Sequence, residues 1–404
     1  MRCTRKIDDD VIWVGADILR PVLFEAAYTA PVGMSYNSYL ILDEKTALID
    51  TVDRAVTDVF LENVEATLAG RRLDYLIVQH IEPDHSATLL DVLIRHPECA
   101  VVCSKRASDM LRAMAGRDID AYTVGEGDTL SLGRHTLSFI MAPMVHWPEV
   151  MVSYDECTST LFSADAFGSF GALGGALFAD EAENIDAYLS EARRYYANIV
   201  GKYGASTRCL LSKLEPLDIK RICPLHGLVW RDNISQFVNK YLLWAEYRPE
   251  KPGAVIASMS VYGNTESAAR ALALALFERG ITCVIHDVGV TEPSYIVSDA
   301  FRFGHLVFAS VTYNGSLPAS MESLISELAS HGLSDRRIAL IENGSWAPVA
   351  ARRMRALLSR MHGISYVCDD VSFYSALPPE RYSEIQGLAD RIASDIRKEY
   401  EHYI

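Results

Sequence analysis

Two kinds of hydrophobic patterning divide the chain. Over residues 1 to about 247, short apolar runs alternate with polar loops and helical stripes. "YLIVQ" (75–79) predicts a short buried strand ending at His80. "VTDVFLENVEATLAG" (56–70) puts Val56, Val59, Phe60, Val64 and Leu68 on one helical stripe. "SATLLDVLIRHP" predicts a helix that starts just after His85, and "RHTLSFIMAP" a strand that ends shortly before His146. "MVSYDECTSTLFSAD" predicts a hairpin whose second strand ends at Asp165, and "RICPLHG" a strand ending just before His226. Polar residues thus gather at strand ends, where loops collect them on one edge of a scaffold.

The pattern changes after "EYRPEKPG" (246–253), a polar stretch with two prolines and a glycine that follows a helical segment, "NISQFVNKYLLWAEY". The boundary is expected there, giving domains 1–247 and 254–404 joined by a linker at 248–253. Beyond it the strands "AVIASMS", "TCVIHDV", "HLVFASV", "RIALIEN" and "ISYVCDDV" alternate with helical segments such as "ESAARALALALFERG" and "ASMESLISELASHGL". Repeated βα units predict an α/β domain with a five-stranded, doubly wound parallel sheet. Ligands in such sheets bind outside the carboxyl ends of the strands.

Composition narrows the function. A formal charge of −15 leaves no basic footprint for nucleic acid. No apolar run reaches the length of a membrane span, and no apolar segment follows the basic start of the chain as in a signal peptide. The eight cysteines form no CxxC pair, and several sit in apolar runs. They are expected to be reduced, which implies a cytoplasmic protein, and no rubredoxin-like iron site is expected among these residues.

The chemistry concentrates in "QHIEPDHSATLL" (79–90), with His80, Glu82, Asp84 and His85 inside six positions. In an extended stretch His80, Glu82 and Asp84 share one face, and Pro83 biases Glu82 toward that conformation. His85 turns off the line where the helix begins, so the segment suits two metals better than one. His146, Asp165 and His226 add three donors at strand ends, making four imidazoles and three carboxylates. Two metals sharing a bridging carboxylate would each have four protein contacts and keep open positions.

This arrangement resembles the metallo-β-lactamase fold, whose zinc hydrolases carry H-x-H-x-D-H. Glu82 departs from that pattern, and H-x-E-x-D-H is instead similar to the flavodiiron proteins, or A-type flavoproteins. "HWP" (146–148), "YYANIV" (195–200), "CPLHG" (223–227) and the domain order are similar as well. The resemblance implies a metallo-β-lactamase-like αββα sandwich followed by a flavodoxin-like domain. It implies one iron on His80, Glu82 and His146, a second on Asp84, His85 and His226, and Asp165 as the bridge. The substitution is chemically consistent, because an anionic oxygen ligand stabilises ferric charge whereas zinc has no redox chemistry.

Three loops at strand ends of the second domain are candidates for a flavin site. The first holds Ser260, Val261, Tyr262, Gly263, Asn264 and Thr265, which is neither a Walker A loop nor GxGxxG. Its hydroxyls and backbone N–H groups at a helix start can cradle a phosphate. The second holds Thr312, Tyr313, Asn314 and Gly315, the third Asn343, Gly344, Ser345 and Trp346. Their resemblance to flavodoxin implies FMN, with Tyr313 and Trp346 either packing beside the isoalloxazine or filling the core. Many relatives carry aromatic-Gly-Trp where this chain has Gly344-Ser345-Trp346.

The resemblance therefore implies an oxidoreductase that reduces dioxygen to water, nitric oxide to nitrous oxide, or both, at two non-haem irons fed through FMN. It also implies an external donor, either a rubredoxin-like protein or a reduced flavin or deazaflavin donor. A head-to-tail homodimer, or a dimer of such dimers, is implied too. A zinc hydrolase fused to a flavodoxin, and an electron carrier with a structural metal domain, are the alternatives. Glu82 speaks against the first and the complete donor set against the second. The basic helix "RRMRALLSR" (352–360) reads as a solvated face or as a dock for an acidic donor.

Overall fold

The computed structural model describes residues 3–116 and 118–400. It divides into two compact units. One comprises residues up to Tyr196 together with Tyr203–Leu242, and the other Ala197–Lys202 together with the chain from Leu243 onward.

The first unit holds two sheets. One is ordered Arg5–Lys6, Val11–Trp13, Tyr39–Leu42, Thr46–Ile49, Tyr75–Val78, Ala100–Ser104, Ala121–Val124. Its pairings are antiparallel up to Thr46–Ile49 and parallel from there on. The other runs Thr129–Ser131, Thr136–Met141, Met151–Asp155, Thr160–Phe162, Arg221–Cys223, antiparallel except for its last pair. The sheets face each other: the buried Tyr39 ring lies 5.4 Å from that of Phe162, and its hydroxyl donates to the Pro224 carbonyl at 2.6 Å. Helix Thr57–Leu68 covers the outer side of the first sheet at Tyr39–Leu42, giving the layering of an αββα sandwich. On this helix the predicted stripe shifts. Phe60, Leu61, Val64 and Leu68 are buried, whereas Val59 is 43% exposed. Val56 precedes the helix, in the 3-10 turn Arg54–Val56, so the helical phase starts one residue later than the stripe assumed.

The second unit is one parallel sheet ordered Cys283–Asp287, Ala254–Met259, His305–Val311, Arg337–Gly344, then Ser365–Tyr366 and Val371–Tyr374 side by side along the last edge. Its first strand in sequence thus lies second in space, the flavodoxin-like arrangement. Helices Asn264–Glu278 and Tyr382–Tyr400 bury Leu272, Leu276, Leu388 and Ile392 against Ile256, Val307 and Ile341. The fifth strand, expected to be continuous, is interrupted. Asp370 leaves the ladder to accept from Arg355 Nε at 3.0 Å, and that guanidinium lies 3.8 Å over the Tyr366 ring. All eight cysteines are free, and no described helix is long and apolar enough to cross a membrane.

Candidate metal centre and flavin loops

His80 sits two residues past strand Tyr75–Val78. Its backbone is tied down by Asp50, whose Oδ1 accepts from the Gln79 and His80 amides at 2.8 and 3.3 Å. Glu82 is extended (φ −53°, ψ 142°), as the following proline favours. Pro83 then opens the short helix Pro83–Ser86, where its missing N–H is no loss. Asp84 and His85 therefore stand on a helical turn. The shared extended face ends at Glu82, and helix initiation at the proline, three residues earlier than expected, is the reason. Thr51 pins this turn by donating its amide and hydroxyl to the His85 carbonyl at 3.0 and 2.6 Å.

The remaining donors arrive on loops. His146 lies between strands Thr136–Met141 and Met151–Asp155. Asp165 stands in a turn beyond strand Thr160–Phe162, which ends three residues sooner than expected, and Ala164 there adopts φ 50°. His226 follows Arg221–Cys223 and donates from Nδ1 to the Ser35 carbonyl, 2.6 Å away. The next residue needs to be glycine. Gly227 has φ 82°, and a Cβ there would stand 2.6 Å from the Tyr188 hydroxyl.

The seven side chains form two adjoining groups, His80–Glu82–His146–Asp165 and Asp84–His85–His226, with the donor atoms of each within 4.8 Å of one another. Every imidazole presents Nε2. His80 and His146 lie 3.2 and 3.1 Å from Glu82 Oε2, and His146 lies 3.2 Å from Asp165 Oδ2. On the other side, His226 lies 3.1 Å from Asp84 Oδ2 and His85 lies 3.1 Å from Asp165 Oδ1. The two oxygens of Asp165 thus address different groups. Burial would depress His80, His85 and His146, but the surrounding carboxylates outweigh it, raising His85 and His146 to about 9 and His80 well above its usual range. Against the same burial, bonds to His146 and His80 hold Glu82 at about 2.

The donor set fits a metal pair. Asp84 Oδ1 is buried with no hydrogen-bond partner, and His85 Nε2, His226 Nε2 and Asp165 Oδ1, though close to other donors of the cage, make no aligned hydrogen bond, a costly condition for polar atoms that are not ligands. Around them stand groups that the sequence reading missed. Glu149 accepts from His80 Nδ1 at 2.8 Å. Phe24 and Tyr195 pack on His226 with ring centroids 5.2 and 5.6 Å away, and the Tyr195 hydroxyl is buried without a partner. Tyr195 opens the "YYANIV" stretch, which was its only sequence signal. Glu149 closes "HWPE", but nothing local pairs it with His80.

In the second unit the three loops all lie at carboxyl ends of strands. Ser260 Oγ accepts from the Gly263 amide at 3.1 Å, and Gly263 (φ 87°) turns the chain into helix Asn264–Glu278. Thr265 Oγ1 is buried and unpartnered beside that helix start. Thr312 and Asn343 have structural tasks. Thr312 Oγ1 accepts from the Val349 and Ala350 amides at 2.9 and 3.2 Å, capping helix Ala350–Leu358, and Asn343 donates to the Ser375 carbonyl at 2.8 Å. Asn314 (φ 49°) and Gly315 (φ 67°) form a tight turn closed by Tyr313 and Ser316. Tyr262, Tyr313 and Trp346 are 92%, 51% and 86% exposed, so none fills the core. Exposed aromatics beside a helix start with an unpaired buried hydroxyl fit a flat ring carrying a phosphate.

Comparison with known proteins gives the class. A model of the ODP family of beta-lactamases matches residues 34–227. The anaerobic nitric oxide reductase flavorubredoxin of Klebsiella pneumoniae is 30% identical over 360 residues, 87% of this chain and 74% of that one. The nitric oxide reductase of Moorella thermoacetica is 31% identical over 326 residues, 80% of this chain and 81% of its own. Among solved structures, the rubredoxin oxygen:oxidoreductase of Desulfovibrio gigas superimposes with a TM-score of 0.92 at 27% identity, covering 98% of this chain and 99% of that one. A flavo di-iron protein of Thermotoga maritima gives 0.89 at 25% identity, covering 98% of both. The chain belongs to the flavodiiron family, a class of FMN- and iron-dependent oxidoreductases.

Proposed function

We propose that this protein reduces nitric oxide to nitrous oxide, dioxygen to water, or both, with electrons entering through FMN. The observation that carries the reading is Asp165, whose two oxygens face two separate sets of imidazoles within one buried cage. His80, Glu82 and His146 would hold one iron and Asp84, His85 and His226 the other, with Asp165 between the two groups. Bound there, an iron pair would supply ferrous–ferric redox chemistry for reducing a small oxidant. The chain's own residues set the conditions. Glu82 and the two aspartates supply anionic oxygens that favour ferric charge. Phe24 and Tyr195 pack their rings against His226, and Trp147 packs against His80.

Residues 1–247 carry this centre and 254–404 the flavin, held at the loops of Ser260–Thr265, Thr312–Gly315 and Asn343–Trp346. The donor is external, a rubredoxin-like protein or a reduced flavin or deazaflavin donor. The working form is a head-to-tail homodimer, or two such dimers, in the cytoplasm. The free cysteines support that compartment. The test is gas consumption with one chemical reductant. Purified protein with about two irons and one FMN per chain should consume nitric oxide or dioxygen catalytically. Stoichiometric zinc from iron-replete cells, with neither gas consumed, would refute the reading.

A further inference from the structure

Four imidazoles reach the cage through Nε2, and their other ring nitrogens are treated unequally. His226 Nδ1 meets a backbone carbonyl, and His85 Nδ1 is buried with no partner. His80 Nδ1 meets a carboxylate, Glu149 Oε1, at 2.8 Å, and both side chains are wholly buried. Glu149 is itself held in place. The same oxygen accepts from the Ile81 amide at 3.1 Å, and the Glu149 carbonyl accepts from Ser104 Oγ at 2.8 Å. The loop between Met141 and Met151 thus does two things for one metal position, contributing His146 as a donor and backing His80 from behind. The Met151 amide bonds the Gln79 carbonyl at 3.1 Å, locking that loop to the strand end that carries His80.

A carboxylate behind an imidazole fixes the proton on Nδ1, orients the ring and makes Nε2 the stronger donor; loss of such a partner costs roughly ten- to a hundredfold in metal affinity. Neither His85 nor His226 has a carboxylate hydrogen-bonded to its Nδ1. We propose that Glu149 is a positioning residue that makes the pair unequal: the iron on His80, Glu82 and His146 is held more tightly than the iron on Asp84, His85 and His226. This rests on the di-iron reading above.

The test measures release of ferrous iron from reduced holoprotein to a chelator, with FMN content and the mixed-valence EPR spectrum as companion readouts. Unmodified protein should lose its irons in two phases. Glu149→Gln keeps the size and an acceptor oxygen but removes the charge. It should speed the slow phase about ten- to a hundredfold, leave the fast phase and the FMN alone, and alter the EPR spectrum. Glu149→Asp, which retains the carboxylate, should recover most of the slow phase. If Glu149→Gln speeds both phases alike, the positioning role is wrong. A slow phase and EPR spectrum unchanged in Glu149→Gln would also overturn it. Unmodified protein without two irons would overturn the di-iron reading itself, and this proposal with it.

Discussion

The two carboxylate oxygens of Asp165 lie 3.2 and 3.1 Å from His146 and His85, so one side chain serves both halves of the cage. Asp165→Ala should therefore empty both iron positions, leaving well under one iron per chain by metal analysis and no gas consumption. FMN should remain at full occupancy, since its loops lie in the other unit. Retained turnover would mean that the bridge lies elsewhere. At this scale the sequence was informative where donors crowd together. H-x-E-x-D-H is local, and its spacing alone marks a metal site. Glu149 was hidden because its partner His80 lies 69 positions away, and a lone glutamate after "HWP" carries no local signature. Phe24 was hidden for a similar reason: its contact with His226 is made by folding, not by spacing.

Among elements, the helix Ala350–Leu358 directly follows the third candidate flavin loop. It starts just beyond Trp346 and is capped by Thr312 from a neighbouring strand end, because its own preceding residue, Val349, offers no side-chain cap. Arg355 is engaged with Asp370, which leaves Arg352 and Arg353 exposed on the helix and Arg360 exposed two residues beyond its end. Replacing those three with glutamine should slow reduction by an acidic protein donor several-fold. Reduction by a small neutral donor should be unchanged, and the salt dependence of the protein-donor rate should flatten. Stopped-flow flavin reduction at two ionic strengths checks this. Element identities were legible wherever apolar periodicity was long, as in the parallel sheet of the second unit. Boundaries were less so, for physical reasons. Pro83 initiates a helix before the apolar stripe begins, and Asp370 deserts its strand for a guanidinium that the local sequence does not reveal.

At the scale of the whole molecule, two compact units with separate cores carry separate chemistry. Residues 254–404 hold thirteen Lys and Arg against seventeen Asp and Glu, so most of the −15 charge belongs to the part with the cage. Ligands stabilise the unit that binds them, by about 4 kcal/mol when present at a thousand times Kd. Calorimetry should accordingly show two transitions. Stripping iron with a chelator should lower one and leave the other in place, and removing FMN should do the reverse. A single transition that moves with both would show the units to be thermodynamically fused.

The exposure of Trp346 gives the protein a built-in optical gauge. It is the one tryptophan among residues 254–404, and at 86% exposure it emits from a watery environment, whereas Trp13, Trp230 and Trp244 lie in the interior. A flavin stacked beside that indole would quench it by contact and by energy transfer. The red edge of the protein's own fluorescence would then report flavin occupancy in real time, without a label and without disturbing the irons.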